Sequence, residues 1–471
     1  MKLGRLPSIL LMTLIMTINT LHAGVVDSVL SDTLITVGNI SLSGNKITKD
    51  RIIFRELEFS TGSAYEKHIL DSLIVKSRQN LINRSLFNFV TITENLTDDT
   101  VNIKVSVIER WYIWPIPILQ FADRNINAWL DKGDLSRLNF GVDLRVENFR
   151  GLMEELKIIL QFGYDIVAGV RWKIPYLNKN QILGMEVDAG VKLNHTVAYK
   201  TNANKEIFYQ SPSGYAQQNI YASTSLTFRP AFNYLHSFKL GFEKFSFQDT
   251  LFVLNPDFGN MVSDYTYFFA NYSFRLDFRD YKPYPLKGFY FDAMVSKIGF
   301  GIFDNDIDRT TVSMTFDQYF NIYKRFFFGY SFAGQIGNTA PRMPYFLKAG
   351  LGYYPYEIRG YELYVVDGQQ LGTLRSNIKY ELLPRTKFKI NWIKSPKFGE
   401  SFIAIYANIF FDAAYVRDIY ATPQNPLANQ ALYGTGIGLD FITYYDLVLR
   451  LEGSYNKQKE LGFFISFVAP I

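Results

Sequence analysis

The sequence predicts an all-β transmembrane β-barrel of about sixteen antiparallel strands, preceded by one small α+β domain. Three observations support this fold class. Aromatic residues make up 17% of the chain, with 41 Phe and 32 Tyr. After residue 23 the chain has no apolar run long enough for a transmembrane helix, which needs about eighteen or more residues. From Pro115 onwards, apolar and polar residues alternate with a period of two, the pattern of a strand with two different faces.

The first residues have the features of a secretory signal peptide. Lys2 and Arg5 give a positive start, Ile9 to Met16 form a short apolar run, and Leu21-His22-Ala23 fits a cleavage site. A membrane anchor is the alternative, but a spanning helix needs a longer run. We therefore expect residues 1–23 to be a signal peptide that directs the chain out of the cytoplasm.

Residues 34–112 predict a separate compact domain with the order strand, helix, helix, strand, strand. Ile40 and Leu42 alternate with serines before the turn "GN". The stretch Lys67 to Leu86 carries its leucines and isoleucines on one helical face. Two alternating segments, Phe87 to Leu96 and Val101 to Val107, then meet at the polar turn "TDDT". Each element has one apolar face, as expected for two helices packed on a small sheet.

Residues 115–471 predict the barrel. In "NYSFRLDFRD", for example, Tyr272 and Phe274 face one way while Arg275 and Asp277 face the other. A soluble sandwich also alternates, but lipid explains the many large aromatics on one face, and a wet lumen explains the charges on the other. About sixteen segments have the nine-to-eleven-residue length of a tilted spanning strand. They are centred near residues 119, 143, 160, 172, 188, 225, 241, 274, 293, 316, 332, 380, 409, 438, 450 and 466.

Other classes of function lack support in the composition. The net charge of +5 is mild and dispersed, so nucleic acid is not an expected partner. The chain has no cysteine and four isolated histidines, which leaves no basis for a disulfide, thiolate or histidine metal site. No cofactor is expected. Inward pairs such as Arg450 with Glu452 are ordinary for a wet barrel, so we do not expect an enzyme.

The ends of the barrel predict a seam. The first strand contains Pro115 and Pro117, and the last, "GFFISFVAPI" around Phe467, contains Pro470. Proline donates no N–H to a ladder and belongs on edge strands. These prolines either only mark strand ends or create a weak seam that can open where residues 115–121 meet 462–471.

The unpatterned stretch "YPYEIRGYELY" carries the most specific site prediction. Arg359 is one of few charges in a loop dominated by Tyr, Leu and Val. Strand alternation turns Glu381 and Asp412 inward on consecutive strands, and one guanidinium can bridge two carboxylates. Gly360 allows the tight backbone of an inserted loop tip. Arg359 is therefore either a peg that holds the loop in the lumen, a solvated loop charge or, least expected, a catalytic group.

Two resemblances follow from these motifs. Residues 34–112, with "GN" after the first strand and "TGSAY" between the helices, resemble a POTRA domain. "EIRGYE" resembles the Arg-Gly-aromatic loop signature of the BamA/TamA-type outer-membrane assembly and secretion proteins, whose barrel is of the bacterial surface antigen type. "IKYELL" and "FFDAAYV" resemble the two strands that follow this loop in the family. Ala414 stands where the family has glycine, and the chain ends in "FVAPI" rather than in an aromatic residue.

The resemblance implies a site and a location. In the family, periplasmic POTRA domains precede a sixteen-stranded barrel, and the sixth external loop folds inward onto acids of the wall. Carried over, Arg359 is the loop arginine with Gly360 and Tyr361 beside it, and Glu381 and Asp412 are the acids. The expected location is the bacterial outer membrane, with the POTRA-like domain in the periplasm.

The expected function is outer-membrane protein assembly or translocation. The POTRA-like domain would receive unfolded outer-membrane or secreted client polypeptides by strand addition, or serve only as a spacer. The expected partners are these clients, the lipid bilayer of the outer membrane and accessory periplasmic proteins or lipoproteins. The alternatives are a dedicated two-partner-type secretion transporter and a diffusive porin. The former class usually carries two POTRA domains and a plug helix, and only one POTRA-like segment fits here.

Overall fold

The structure is a computed structural model of the chain. It describes residues 34–468 except 98, 122–137, 260–261, 304–306, 341, 390, 392, 394–399 and 444–446. The predicted signal peptide, residues 1–23, lies outside the described residues.

The N-terminal domain is a four-stranded sheet covered by two helices. Its sheet has the order β2-β1-β4-β3, with β1 and β4 parallel and the other pairs antiparallel. The apolar helix faces, including Ile53 and Leu70, pack on sheet residues such as Val105. The short strand β2 begins within "TGSAY", between the two helices, where the predicted order of elements has no strand. The elements are β1 (Leu34–Ser43), α1 (Asp50–Phe54), β2 (Ala64–Glu66), α2 (Lys67–Ile82), β3 (Phe87–Thr97) and β4 (Thr100–Glu109).

The rest of the described chain is almost entirely strands. Its one α-helix, among the described residues, is α3 (Thr250–Leu254), and two short 3₁₀ turns cover Pro256–Phe258 and Tyr345–Leu347. The strands are β5 (Ile113–Phe121), β6 (Leu138–Phe149), β7 (Glu154–Gly163), β8 (Ile166–Ile174), β9 (Leu183–Asn194), β10 (Thr196–Asn202), β11 (Lys205–Gln210), β12 (Gln217–Phe228), β13 (Tyr234–Phe247), β14 (Asp264–Asp277), β15 (Gly288–Ile298), β16 (Arg309–Tyr323), β17 (Phe326–Gly337), β18 (Gly350–Leu351), β19 (Val366–Asp367), β20 (Gln370–Lys389), β21 (Glu400–Arg417), β22 (Ala431–Thr443), β23 (Val448–Asn456) and β24 (Leu461–Val468).

One sheet contains sixteen of these strands, each hydrogen-bonded to its neighbour in chain order from β5 to β24. The hairpins β10–β11 and β18–β19 stand apart from it, within two long connections. Neighbouring strands of the large sheet are antiparallel throughout. Every predicted strand centre falls within one of the sixteen strands. The predicted fold class is therefore confirmed.

The large sheet has an apolar outer face and a polar inner face. Ile378, Ile409 and Ile437 are cross-strand partners on β20, β21 and β22, and they are 48%, 63% and 66% exposed. On the opposite face of the same strands, Asp412 and Asp440 are buried. A soluble domain usually buries its isoleucines and exposes its carboxylates. The opposite arrangement here is typical of a barrel whose outer wall contacts lipid.

The connections differ in length at the two ends of the barrel. At the end beside the N-terminal domain, β6–β7, β12–β13 and β16–β17 are joined by a few residues each. At the far end, long connections such as 338–369 fold against one another and form an apolar cluster around Phe258 and Tyr345. Within the described part of the chain, no helix has the length and apolarity that crossing a membrane requires.

Candidate functional site

Arg359, in the long connection between β17 and β20, inserts into the lumen and contacts Asp412 on β21. Its guanidinium donates from Nη2 to Oδ1 of Asp412 at 2.6 Å and from Nε to Oδ2 at 2.8 Å. Its backbone N–H donates to the same carboxylate at 3.0 Å. Asp412 has no exposed surface and Arg359 only 9%. A two-pronged charged contact shielded from water is the strongest form of this pair.

Strand register explains why the loop tip fits at this level of the wall. Arg375, Asp412, Gly434 and Asn456 are successive cross-strand partners on β20 to β23. A Cβ at Gly434 would lie 2.0 Å from the backbone oxygen of Arg359. Glycine at this position therefore lets the loop backbone reach the wall closely enough for Arg359 to bind Asp412.

Gly360 and Tyr361 complete the loop tip. Gly360 has φ +90°, in the left-handed region that favours glycine, and its carbonyl accepts a hydrogen bond from Nδ2 of Asn456 at 2.8 Å. Tyr361 is 2% exposed within an apolar cluster that includes Ile358 and Leu432. The tip is thus held by charge, backbone bonding and apolar packing together.

Glu381 does not take part in this contact, contrary to the expectation from the sequence. Its carboxylate accepts a hydrogen bond from the hydroxyl of Tyr406 at 2.9 Å. The second acid beside Arg359 is Glu452 on β23, whose Oε1 lies 3.4 Å from Nη1. Inward alternation correctly indicates the lumen for Glu381, but alternation alone does not give its height along the strand axis.

Phe410 and Gly436 are also missed by the sequence reasoning. The guanidinium carbon of Arg359 lies 3.8 Å from the centre of the Phe410 ring, a cation–π contact. Phe410 pairs with Gly436 in the ladder, and a Cβ at Gly436 would lie 2.5 Å from the Phe410 ring. The alternating glycines of "YGTGIG" signal such close approach.

A turn at the opposite end of the barrel also reaches the lumen. It connects β14 to β15 and carries Tyr284, which is 1% exposed. The hydroxyl of Tyr284 donates to Asp440 on β22 at 2.6 Å, and Nζ of Lys379 lies 3.8 Å from the centre of its ring. The same turn contacts the N-terminal domain, where the side chain of Asn83 accepts from the N–H of Lys282 at 3.4 Å. This turn thus contacts both the lumen wall and the domain.

A second buried carboxylate joins the N-terminal domain to the barrel. Glu56 is fully buried, with Nε of Arg84 at 2.9 Å and Nη1 of Arg229 at 3.1 Å. The hydroxyl of Tyr176 donates to it at 3.1 Å. Burial alone would raise the pKa of Glu56, but Arg84 and Arg229 outweigh burial and hold this pKa below its ordinary value. Arg229 and Tyr176 belong to two turns of the barrel, so one carboxylate binds three segments.

The predicted seam residues lie at the two edges of the sheet. Pro115 and Pro117 are exposed on β5, where they pair with Leu144 and Val142 of β6. Phe467 lies on β24 and pairs with Leu449. Among the described residues, no pairing joins β24 back to β5. Pro470 lies outside the described residues.

Comparison with known proteins agrees with both parts of this architecture. The family model described as "POTRA: Surface antigen variable number repeat" matches residues 35–110. A structure of BamA from Haemophilus ducreyi lacking POTRA domains 1–3 shares 15% identity and a TM-score of 0.50, over 92% of this chain and 84% of that one. CdiB from Escherichia coli shares 11% identity and a TM-score of 0.50, over 92% and 75%. No curated protein matches the sequence.

At these identities the two solved structures show the fold. The POTRA match covers the small domain that the sequence indicated, and the likeness to BamA and CdiB extends over the barrel. The predicted resemblance and location agree with these findings and with the apolar outer wall of the sheet. The chain thus has a POTRA domain followed by a sixteen-stranded barrel, with the fold of the BamA and CdiB structures.

Proposed function

We propose that this protein assembles or translocates polypeptides at the outer membrane, receiving client chains at the POTRA domain and inserting them at the seam between β5 and β24. The observation that carries the proposal is the pair of unjoined sheet edges among the described residues. An exposed edge presents backbone N–H and C=O groups that can pair with an incoming strand.

The sequence of β5 favours an edge that can pair with an incoming strand over one that is fully paired with β24. Pro115 and Pro117 are two residues apart, so they remove N–H donors from the same side of the strand. The end strands β5 and β24 have nine and eight residues, whereas β20 and β21 have twenty and eighteen. Fewer donors and shorter strands give any ladder between β5 and β24 fewer bonds than the ladder between β20 and β21.

The POTRA domain offers an edge of its own. β3 is the last strand of its sheet and pairs on one side only, with β4. Its second half, from Thr93 to Thr97, is mostly exposed. We assign this edge to client binding by strand addition. Accessory periplasmic proteins or lipoproteins are further partners in this proposal.

The role proposed for Arg359 is to hold the loop inside the lumen while the seam opens. Asp412 and the Arg359 backbone fix the tip to β21, in the long-stranded wall of the barrel. A barrel that opens at one edge needs another part of its wall to keep its shape. In this proposal the loop lock supplies that fixed wall and no covalent bond is made or broken.

The proposal is tested by locking the seam. The chain has no cysteine, so Leu119→Cys with Phe467→Cys introduces the only thiols, and oxidation would join β5 to β24. The control is Leu119→Cys with Phe140→Cys, a ladder pair within β5 and β6. We expect the seam pair, once oxidised, to deplete outer-membrane or surface proteins in a strain that relies on this chain, and reduction to restore them. Equal growth and equal client levels for both oxidised pairs would contradict the proposal.

A dedicated two-partner-type transporter is the second candidate, because CdiB matches this fold as well as BamA does. Passage along the lumen axis requires the loop of Arg359 and the turn of Tyr284 to leave, whereas insertion at the seam does not. Their buried contacts favour the seam. Export of one client with normal levels of other outer-membrane proteins would favour the second candidate. Large, steady single-channel currents in planar bilayers would favour a porin instead.

A further inference from the structure

The cavity between the POTRA domain and the periplasmic mouth of the lumen has an unusual charge balance. It has a volume of about 380 Å³ and is lined by six cations and two carboxylates. Two other lumen cavities are close to neutral, one with four cations and three carboxylates and the other with three and two. A wet barrel normally mixes both signs, and the lining of this junction cavity has a larger cation excess than either of those two.

The cations come from separate segments of the chain. Arg84 belongs to the POTRA domain, Arg229 to the turn between β12 and β13, and Lys282 to the turn between β14 and β15. Burial and the nearby charge of Arg84 lower the pKa values of both Arg229 and Lys282, although each has a carboxylate partner. Like charges are thus crowded together around the cavity.

Two of the ion-pair sets leave positive charge uncompensated. Glu56 is shared between Arg84 and Arg229, at 2.9 and 3.1 Å. Asp277 is shared in the same way between Arg279 and Lys282, at 2.8 and 3.1 Å.

Each of these sets has two cations for one carboxylate. The remaining cations have acids of their own: Arg275 lies 3.0 Å from Asp292 and Lys173 lies 3.7 Å from Glu155. Glu186, the second carboxylate of the lining, offsets one of the two excess cations, so one positive charge remains for a ligand.

We propose that this junction cavity binds a phosphate monoester, with Arg84, Arg229 and Lys282 as its anion-binding side chains. A phosphate monoester carries a charge of about −1.5 to −2 at neutral pH and accepts several charge-assisted hydrogen bonds. A phosphate presents three terminal oxygens, one for each of the three cationic side chains, whereas a carboxylate presents two.

The remaining lining indicates what the phosphate is attached to. Ile174, Met185, Phe232 and Leu235 add apolar side chains to the lining of the same cavity. The ligand is therefore a phosphate on an apolar or aromatic body, which is a chemistry shared by lipid head groups with a terminal phosphate and by small organic phosphates. A bound ligand would contact the POTRA domain and the barrel at once and hold them together.

The test is calorimetric titration of the detergent-solubilised full chain with phenyl phosphate, benzoate and dihexanoyl phosphatidic acid. We expect phenyl phosphate to bind at least tenfold more tightly than benzoate, which has the same ring but one negative charge. Tighter binding of the phosphatidic acid would identify a lipid source, and tighter binding of phenyl phosphate a small organic phosphate. Equal affinity for benzoate, or for an acidic peptide such as hexaglutamate, would overturn the proposal.

Variants separate this site from general attraction to a basic lumen. Lys282→Gln leaves both cations of Glu56 in place, and we expect it to weaken phosphate binding at least tenfold, while Lys282→Arg retains binding. Lys239→Gln removes a lysine from another lumen cavity and serves as the matched control. Equal weakening by Lys239→Gln and Lys282→Gln, or no weakening by either, would overturn the assignment.

Discussion

Asp412 in the lumen and Glu56 at the periplasmic junction both lack exposed surface, and each lies close to two guanidinium groups. Their settings differ. Asp412 binds the guanidinium group and the backbone N–H of Arg359. The guanidinium group of Arg375 lies further from this carboxylate, at 3.7 Å. Glu56 instead binds Arg84 of its own domain together with two turns of the barrel. The first carboxylate fixes a loop, and the second fixes a domain.

This difference shows two uses of the same buried chemistry. A carboxylate that is shielded from water needs cations close by. Removing one partner of a buried ion pair therefore costs far more stability than an exposed ion pair contributes. At Asp412 the partners belong to one barrel, so the pair holds the loop against the lumen wall. At Glu56 they belong to two folding units, so the pair joins the domain to the barrel. Four changes would break or sharpen this contrast.

The largest effect is expected for Arg359→Ala. It leaves Asp412 buried without its guanidinium partner, and losing one member of a buried ion pair costs about 3–5 kcal/mol. The measurement is the temperature at which the compact barrel unfolds in semi-native electrophoresis. Arg342→Ala is the control, since Arg342 and its partner Asp257 are 42% and 53% exposed and such pairs contribute about 0–1 kcal/mol. Equal shifts for both variants would show that Asp412 does not depend on the loop.

Acid should loosen the junction at Glu56. Because the pKa of Glu56 is lowered in the folded state, its contribution to stability is complete above its ordinary value of 4.5 and is lost as the pH falls through the folded pKa. Pulsed electron–electron double resonance between spin labels on Val75→Cys and Lys324→Cys measures the distance between the domain and the barrel. We expect one narrow distance at pH 7 and a broad distribution below the folded pKa.

Glu56→Gln is the control for this titration. The amide cannot lose or gain charge, so we expect its distance distribution to be broad at both pH values. A wild-type distance distribution that stays narrow in acid, or a variant distribution that matches wild type at pH 7, would show that Glu56 does not hold the domain against the barrel.

A smaller effect is expected for Gly434→Ala. The added methyl group meets the backbone oxygen of Arg359 at 2.0 Å, so the loop tip must move. Such overpacking costs about 1–3 kcal/mol. Gly372→Ala is the matched control, because its Cβ would have no neighbour within 4 Å. Semi-native electrophoresis should show a lower unfolding temperature for Gly434→Ala alone, and equal behaviour would contradict the close approach.

The smallest effect is expected for Tyr176→Phe. It removes one hydrogen bond to Glu56 but leaves both guanidinium partners, a loss of about 0.5–1.5 kcal/mol. We expect a slight broadening of the distance distribution at pH 7 and a loosening that begins at a higher pH than in wild type. Tyr354→Phe, at a residue 92% exposed, should change neither. An effect as large as that of Glu56→Gln would mean that the hydroxyl, not the charge, holds the junction.

The sequence was informative where the signal is periodic or local. Alternation gave every strand of the large sheet, because lipid and water impose opposite faces on each strand. "EIRGYE" and "FFDAAYV" indicated Arg359 and Asp412, which the structure brings together. Glu452 was missed because the height of an inward residue depends on strand register, which no single strand reveals.

The junction was missed for a related reason. Glu56, Arg229 and Tyr176 are far apart in sequence, and nothing in their neighbourhoods distinguishes them from surface residues. The hairpin β10–β11 was overlooked because a strand outside the membrane has no lipid face and hence weaker alternation. The tertiary arrangement of short turns is the part that a reading of one sequence cannot supply.

The turn of Tyr284 has an electrical consequence. For an ion crossing the barrel, this turn and the loop of Arg359 are two resistances in series, because one enters from the periplasm and the other from outside. The larger resistance limits the current, so displacing either segment alone leaves the path obstructed. An open path for ions through the barrel therefore requires both segments to move.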